Sequence, residues 1–198
     1  MSSHQLPKTT SPVKRPLNPG CDVQKISNGS LILTDCTFNQ NRSTLQGGAI
    51  DAEKLDLNTT NCVFTDNRNS ISNGGGAIAL SYGVWSDLNS SYHNNYSAST
   101  GGALDIADSN ITIIDSNFSK NYSDYWGGSI LANTSTVKIS NSQIIENNAS
   151  TGGSIHITDS NITILDSNFS DNQSDYAGGA IAAVNSNIKV SAGTFSQN

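Results

Sequence analysis

Two short motifs alternate along this chain in one fixed phase, and that phase restricts the fold more than any other feature. The first is an aromatic or apolar residue followed three positions later by Asn. It stands at Phe38/Asn41, Phe64/Asn67, Phe118/Asn121, Phe169/Asn172 and Phe195/Asn198, with weaker copies at Tyr92/Asn95 and Ile144/Asn147. Their first positions are 26, 28, 26, 26, 25 and 26 residues apart. The second is Gly-Gly-Ala-Ile or a close variant, opening with Gly47–Gly48, Gly75–Gly76, Gly101–Gly102, Gly127–Gly128, Gly152–Gly153 and Gly178–Gly179. Its spacings are 28, 26, 26, 25 and 26. The stretch from Asp108 to Ile130 also recurs from Asp159 to Ile181 with only five changes, 51 residues on, which is two periods. Self-similarity at such a period marks a stacked array in which each repeat contacts its neighbours.

The residue types decide which array. A helical repeat needs apolar residues at i, i+3, i+4 and i+7. This chain instead alternates Ile, Phe and Val with Ser, Thr, Asn and Gly, which suit short strands and turns. Three short strands closed every 26 residues describe one rung of an all-β, right-handed, single-stranded parallel β-helix of about seven rungs. Stacking brings like residues into columns. Leu31, Leu57, Trp85, Ile111, Val137, Ile162 and Ile188 form one apolar column, and the Phe-type residues form a second. Cys36, Cys62, Ser90, Ser116, Ser142, Ser167 and Gly193 form a third, and Ala52, Leu80, Ile106, Ala132, Ile157 and Ala183 a fourth. All are expected to point inward. The recurrent Asn is expected at a corner, its amide bonding the Asn above and below, and the Gly pair at a tight entry to the next strand. The third repeat carries two extra residues, and Asp87 falls in a column otherwise mainly apolar, so a bulge or protruding loop is expected near Tyr82–Asp87.

Composition removes several functions. All four prolines and three of the ten basic residues lie in the first twenty positions, so residues 1–24 read as a leader or linker and 25–198 as the repeat domain. From Gly20 onward seven basic residues face sixteen acidic ones, a balance that disfavours nucleic acid. No apolar run reaches the ~20 residues of a transmembrane helix. His4, His93 and His156 and the three cysteines match no zinc spacing, and no cofactor is expected. Cys36 and Cys62 share an inward column and read as buried thiols close enough for a bridge, while Cys21 precedes the first rung. Asp35, Asn61, Asn89, Asp115, Asn141 and Asp166 form a regular polar column that reads as a hydrogen-bonding corner rather than a calcium site.

Alternating GGAI and FxxN over residues 25–198 resembles the passenger domains of chlamydial polymorphic membrane proteins, with Phe38, Asn41 and Gly47 to Ile50 as the first copy. That resemblance implies a right-handed β-helix displayed at the cell surface, outer membrane or in secreted form, exported as an autotransporter passenger and used as an adhesin toward a host-cell surface protein or glycan. The chain shows neither a secretory signal nor an outer-membrane barrel, so it reads as a monomeric rod or part of a longer chain. The exposed aromatics Tyr82, Tyr96, Tyr125 and Trp126 are the candidate ligand contacts.

β-Helices also host polysaccharide lyases and hydrolases, which need two carboxylates in a groove. Asp51 and Asp105 fall in one outward column, two rungs apart with Ala79 between them, and His156 continues it after Leu131. No Arg or Lys is expected beside them to stabilise a developing charge. The chain is therefore read as non-enzymatic, with a carbohydrate-active enzyme as the competing class.

Overall fold

A computed structural model describes residues 24–70 and 73–198 of the chain. The leader at 1–24, apart from Gln24, and Cys21 lie outside the described residues. The described residues form twenty-five strands in three parallel sheets of twelve, six and seven strands. From the third rung to the sixth, each rung sends two strands to the largest sheet and one to each of the others; in the first two rungs the pair for the largest sheet runs as one strand, Gln24–Thr34 and Ile50–Thr60. The fold is the parallel β-solenoid that the 26-residue period predicts.

Register follows the columns. Phe38, Phe64, Tyr92, Phe118, Ile144, Phe169 and Phe195 are successive ladder partners. So are Leu31, Leu57, Trp85, Ile111, Val137, Ile162 and Ile188. The rings stack face to face: Phe38 on Phe64 at 4.8 Å, Phe64 on Tyr92 at 5.0 Å and Tyr92 on Phe118 at 4.5 Å between centroids. Identical residues on consecutive rungs can stack this way because parallel strands repeat at about 4.7–4.9 Å. In the last rung the same inward positions, Ile188, Phe195 and Ala183, are exposed, because none of the described residues stacks beyond them.

Corners use an unusual economy. Three non-glycine residues per rung adopt positive φ, as Asn28, Asp35 and Gln40 do in the first and Tyr82, Asn89 and Asn94 in the third. Asn and Asp tolerate this region best, and they predominate in the first two corner columns, while the third mixes them with Gln, Glu and Lys. One left-handed residue turns the chain while its amide still bonds the next rung, as in Asp35 N–H to Thr60 O at 3.0 Å and Tyr82 N–H to Ala107 O at 3.1 Å. The chain thus bends without orphaning a backbone donor.

The second glycine of each pair has a different reason to be glycine. A Cβ on Gly48 would stand 1.9 Å from the Gly76 carbonyl oxygen, and one on Gly102 or Gly128 would stand 2.0 Å from the oxygen of Gly128 or Gly153. The glycines therefore form their own ladder, packed backbone to backbone.

The interior of the Asn ladder is saturated, and among the described residues only its first member, Asn41, has an unpartnered Oδ1. Asn121 Nδ2 donates to Asn147 Oδ1 and to the Tyr92 carbonyl, and its Oδ1 accepts from the amide and Nδ2 of Asn95. Asn67, Asn95 and Asn147 repeat the arrangement, and all four are buried.

The expected bulge at Tyr82–Asp87 is absent. Strands Ile78–Ser81 and Val84–Leu88 flank an ordinary corner at Tyr82 and keep register with both neighbours. The extra two residues fall instead between strand Arg68–Asn69 and Gly75. Asp87 is not ejected but fully buried. Hydroxyls of Thr59, Tyr92 and Ser116 donate to its carboxylate, and Trp85 Nε1 donates to Thr59 Oγ1 at 2.8 Å. Three donors offset the desolvation that would otherwise expel a carboxylate from a core.

Candidate functional site

The outer surface of the corner between the two smaller sheets carries a groove of about 610 Å³. One wall is the turn column Gln40, Asp66 and Asn94; the other is Arg42, Arg68, Tyr96 and Tyr122; Asn67 and Asn95 of the ladder lie beneath. The second wall is a single column of ladder partners immediately after each FxxN Asn. Inward Asn therefore dictates an outward neighbour, and the groove is a by-product of the same period. Arg68 lies 3.8 Å over the Tyr96 ring, which stacks on Tyr122 at 5.8 Å and donates its hydroxyl to Asp124 Oδ2 at 2.7 Å. Asp66 accepts from the Asn94 side-chain amide. The ion pairs among the described residues involve Lys25, Lys54 and Lys120, and neither arginine.

Of the four candidate aromatics, only Tyr96 reaches this groove. Tyr125 and Trp126 close the strand Tyr122–Trp126, their rings 5.8 Å apart, and Trp126 faces His156 at 6.4 Å. Tyr82 sits alone at a corner between two strands of the largest sheet, exposed. The four do not form one surface. Arg42, Arg68 and Tyr122 escaped the sequence reading, which followed inward columns. The signal was available one position after each Asn, where the chain reads Arg, Arg, Tyr, Tyr.

The outward column Lys25, Asp51, Ala79, Asp105, Leu131, His156 is confirmed by register. Two expectations about it change. Asp51 and His156 are buried although they face outward, and Lys25 does stand beside Asp51, 3.7 Å from its Oδ2. His156 contacts Thr158 Oγ1 through Nε2 at 3.3 Å, while its Nδ1 and Asp51 Oδ1 have no partner. Burial pushes the His156 imidazole below its ordinary range. Among the described residues no carboxylate hydrogen-bonds the imidazole.

Asp51 is raised by burial against the opposing Lys25 charge. Asp87 is raised by burial against its hydroxyl donors. Asp105 is pushed up to about 6 by burial, with the Thr100 hydroxyl and the Gly74 and Ile106 amides pulling it back. An acid whose folded pKa exceeds its unfolded value holds its proton longer when folded. Its contribution is therefore full below the unfolded value and lost as pH rises through the folded one. The rod is expected to gain stability when pH is lowered from 7 to about 5, as read by urea midpoints. Asp105→Asn should flatten that profile and raise stability at pH 7 by up to about 3 kcal/mol. An unchanged profile would refute the assignment to Asp105.

The Asp35 column stands at left-handed corners, where Asn61 Nδ2 donates to Asp35 Oδ1 at 3.0 Å and Asn89 Nδ2 to Asn61 Oδ1 at 2.8 Å. Its regularity is that of a hydrogen-bonding corner. Cys36 and Cys62 are free thiols; burial pushes Cys62 up to about 11, which keeps it protonated.

The Chlamydia polymorphic membrane protein repeat matches residues 35–53 and 166–184. Each match runs from a left-handed corner through FxxN and the Gly pair to the following strand. No curated protein and no solved structure matches the chain. The chain is thus a parallel β-solenoid two of whose rungs are similar to the Chlamydia polymorphic membrane protein repeat, with FxxN and the Gly pair kept in one phase along the described residues.

Proposed function

We propose that this rod is a non-enzymatic segment of a surface-displayed, autotransporter-type passenger that acts as an adhesin toward a host-cell surface protein or glycan. The observation that carries the reading is the repeat match at two rungs of one continuous solenoid, since that repeat belongs to surface and outer-membrane proteins of Chlamydia. The physical layout agrees with it. Every inward column is spent on stacking, which leaves long outward ladders and the groove as the surfaces available to a partner. No helix among the described residues is long and apolar enough to cross a membrane, which says nothing about a β-barrel.

The test is direct. Beads coated with the purified rod are expected to attach to cultured host cells above beads coated with urea-unfolded rod, and soluble rod should compete. Attachment equal to the unfolded control would refute the adhesin role.

A second reading rests on one observation: Asp51 and Asp105 share a column and both are raised by burial. Two rungs at the parallel-strand spacing separate them by about 10 Å, at the upper limit for an inverting pair. Polysaccharide turnover by the wild type that Asp105→Asn abolishes would establish this reading in place of the first.

A further inference from the structure

We propose that the groove walled by Arg42, Arg68, Tyr96 and Tyr122 binds a short oligosaccharide ending in a carboxylate-bearing sugar. This rests on reading the rod as an interaction surface and names the chemistry that the surface takes.

Three observations converge on it. Arg42 and Arg68 are direct ladder partners, so their side chains leave the sheet about 4.8 Å apart. Like charges placed directly opposite on neighbouring strands oppose folding, and neither has an ion-pair partner among the described residues to offset that. A carboxylate between the two guanidinium groups would remove the repulsion and accept paired, charge-assisted hydrogen bonds. The groove is also preorganised. Arg68 is held over Tyr96, Tyr96 is tied to Asp124, and Asp66 already accepts from Asn94, so the nearby acids are engaged elsewhere.

Size and surrounding charge narrow the occupant. A volume of about 610 Å³ lies within the range of small-ligand sites, roughly 300–1,000 Å³. The chain carries a formal charge of −6, so a long polyanion meets net repulsion from the rod as a whole. An occupant with one carboxylate and otherwise neutral hydroxyls avoids that repulsion. Gln40 and Asn94 on the facing wall offer amides to such hydroxyls, and the Tyr122 ring, exposed at the end of the stack, offers an amphipathic surface. A peptide would want apolar side-chain pockets, which these walls do not provide.

The experiment is calorimetric titration of the purified rod with 3′-sialyllactose, lactose, dextran sulfate and a tetraglutamate peptide. Sialyllactose is expected to bind at least tenfold more tightly than lactose. Arg68→Gln and Arg42→Gln, both outward, should each weaken it by about ten- to a hundredfold while leaving the urea midpoint unchanged or raised. Four results would overturn the proposal: no binding of sialyllactose, equal binding of lactose, full binding by the double Gln variant, or tighter binding of dextran sulfate or tetraglutamate in the same groove. Cell attachment separates this proposal from the adhesin reading. If the double variant keeps sialyllactose binding, the groove assignment falls whether or not the rod attaches to cells. If the wild type binds sialyllactose but never attaches, the adhesin reading falls alone.

Discussion

Replacing Gly102 by alanine should dismantle the centre of the rod, lowering stability by more than about 4 kcal/mol, a loss reserved for a few mechanisms of which backbone collision is one. The new Cβ would lie 2.0 Å from the Gly128 carbonyl oxygen and 2.7 and 2.8 Å from backbone atoms of Tyr122. All three obstacles are backbone, so no side-chain rotation relieves them. Parting the rungs would break Gly102 N–H to Gly127 O at 2.9 Å and Ala103 N–H to Ser129 O at 2.9 Å on the same strip. The contrast is Gly193→Ala, whose nearest obstacle is the Val190 Cγ1 methyl at 3.1 Å in the open last rung. That change should shift stability by about 1 kcal/mol or less. Urea midpoints followed by circular dichroism check both, and a Gly102→Ala rod with the wild-type midpoint would refute the close-approach account.

Asn121→Ala should cost about 3–5 kcal/mol. Alanine removes two donors and an acceptor that serves two donors, all within a buried column. The amide and Nδ2 of Asn95 lose their shared acceptor, and the Tyr92 carbonyl loses a donor. Each buried polar group left unpaired costs about 1–3 kcal/mol, well above the net worth of one hydrogen bond. The same change at Asn198, exposed in the last described rung, removes bonds to Asn172 and Phe169, and none of the described residues stacks beyond it. It should cost about 1–2 kcal/mol, since water reaches the freed groups. Asn121→Asp should not rescue the interior site, because it keeps the acceptor but loses both donors and adds a charge. Equal losses at positions 121 and 198 would show that the ladder does not act through burial.

Both predictions concern residues whose role was visible in the period alone. The columns were legible because stacking in a solenoid turns sequence distance directly into spatial adjacency: residues 26 apart are neighbours whatever the rest of the chain does. Phe38 to Phe195 and Asn41 to Asn198 therefore announced themselves. The groove was less legible because its wall varies along the column, from Arg to Tyr to Asn148 and Gln173, and variation hides a period. Tyr82, Tyr125 and Trp126 looked alike as aromatic letters, yet Tyr82 stands at a corner of the largest sheet while Tyr125 and Trp126 close a strand of the smallest.

Asp87 shows the limit most plainly. A carboxylate in an apolar column predicts expulsion, because sequence distance says nothing about which hydroxyls meet across the interior. Thr59 and Ser116 come from the rungs on either side, and Tyr92 comes from its own rung five residues later. Together they turn a misfit into a satisfied core residue. Asp51 and His156 teach the converse, since strand alternation places them outside and yet both are buried. By itself the sequence determined the period, the stacking columns and the Asn and Gly ladders, all of which depend only on translation along the axis. The tertiary structure alone decided what meets across the rung: which acids are buried, which donors satisfy them, and where two arginines and two tyrosines line one groove. Those contacts depend on the shape of the cross-section, which a repeat length does not encode.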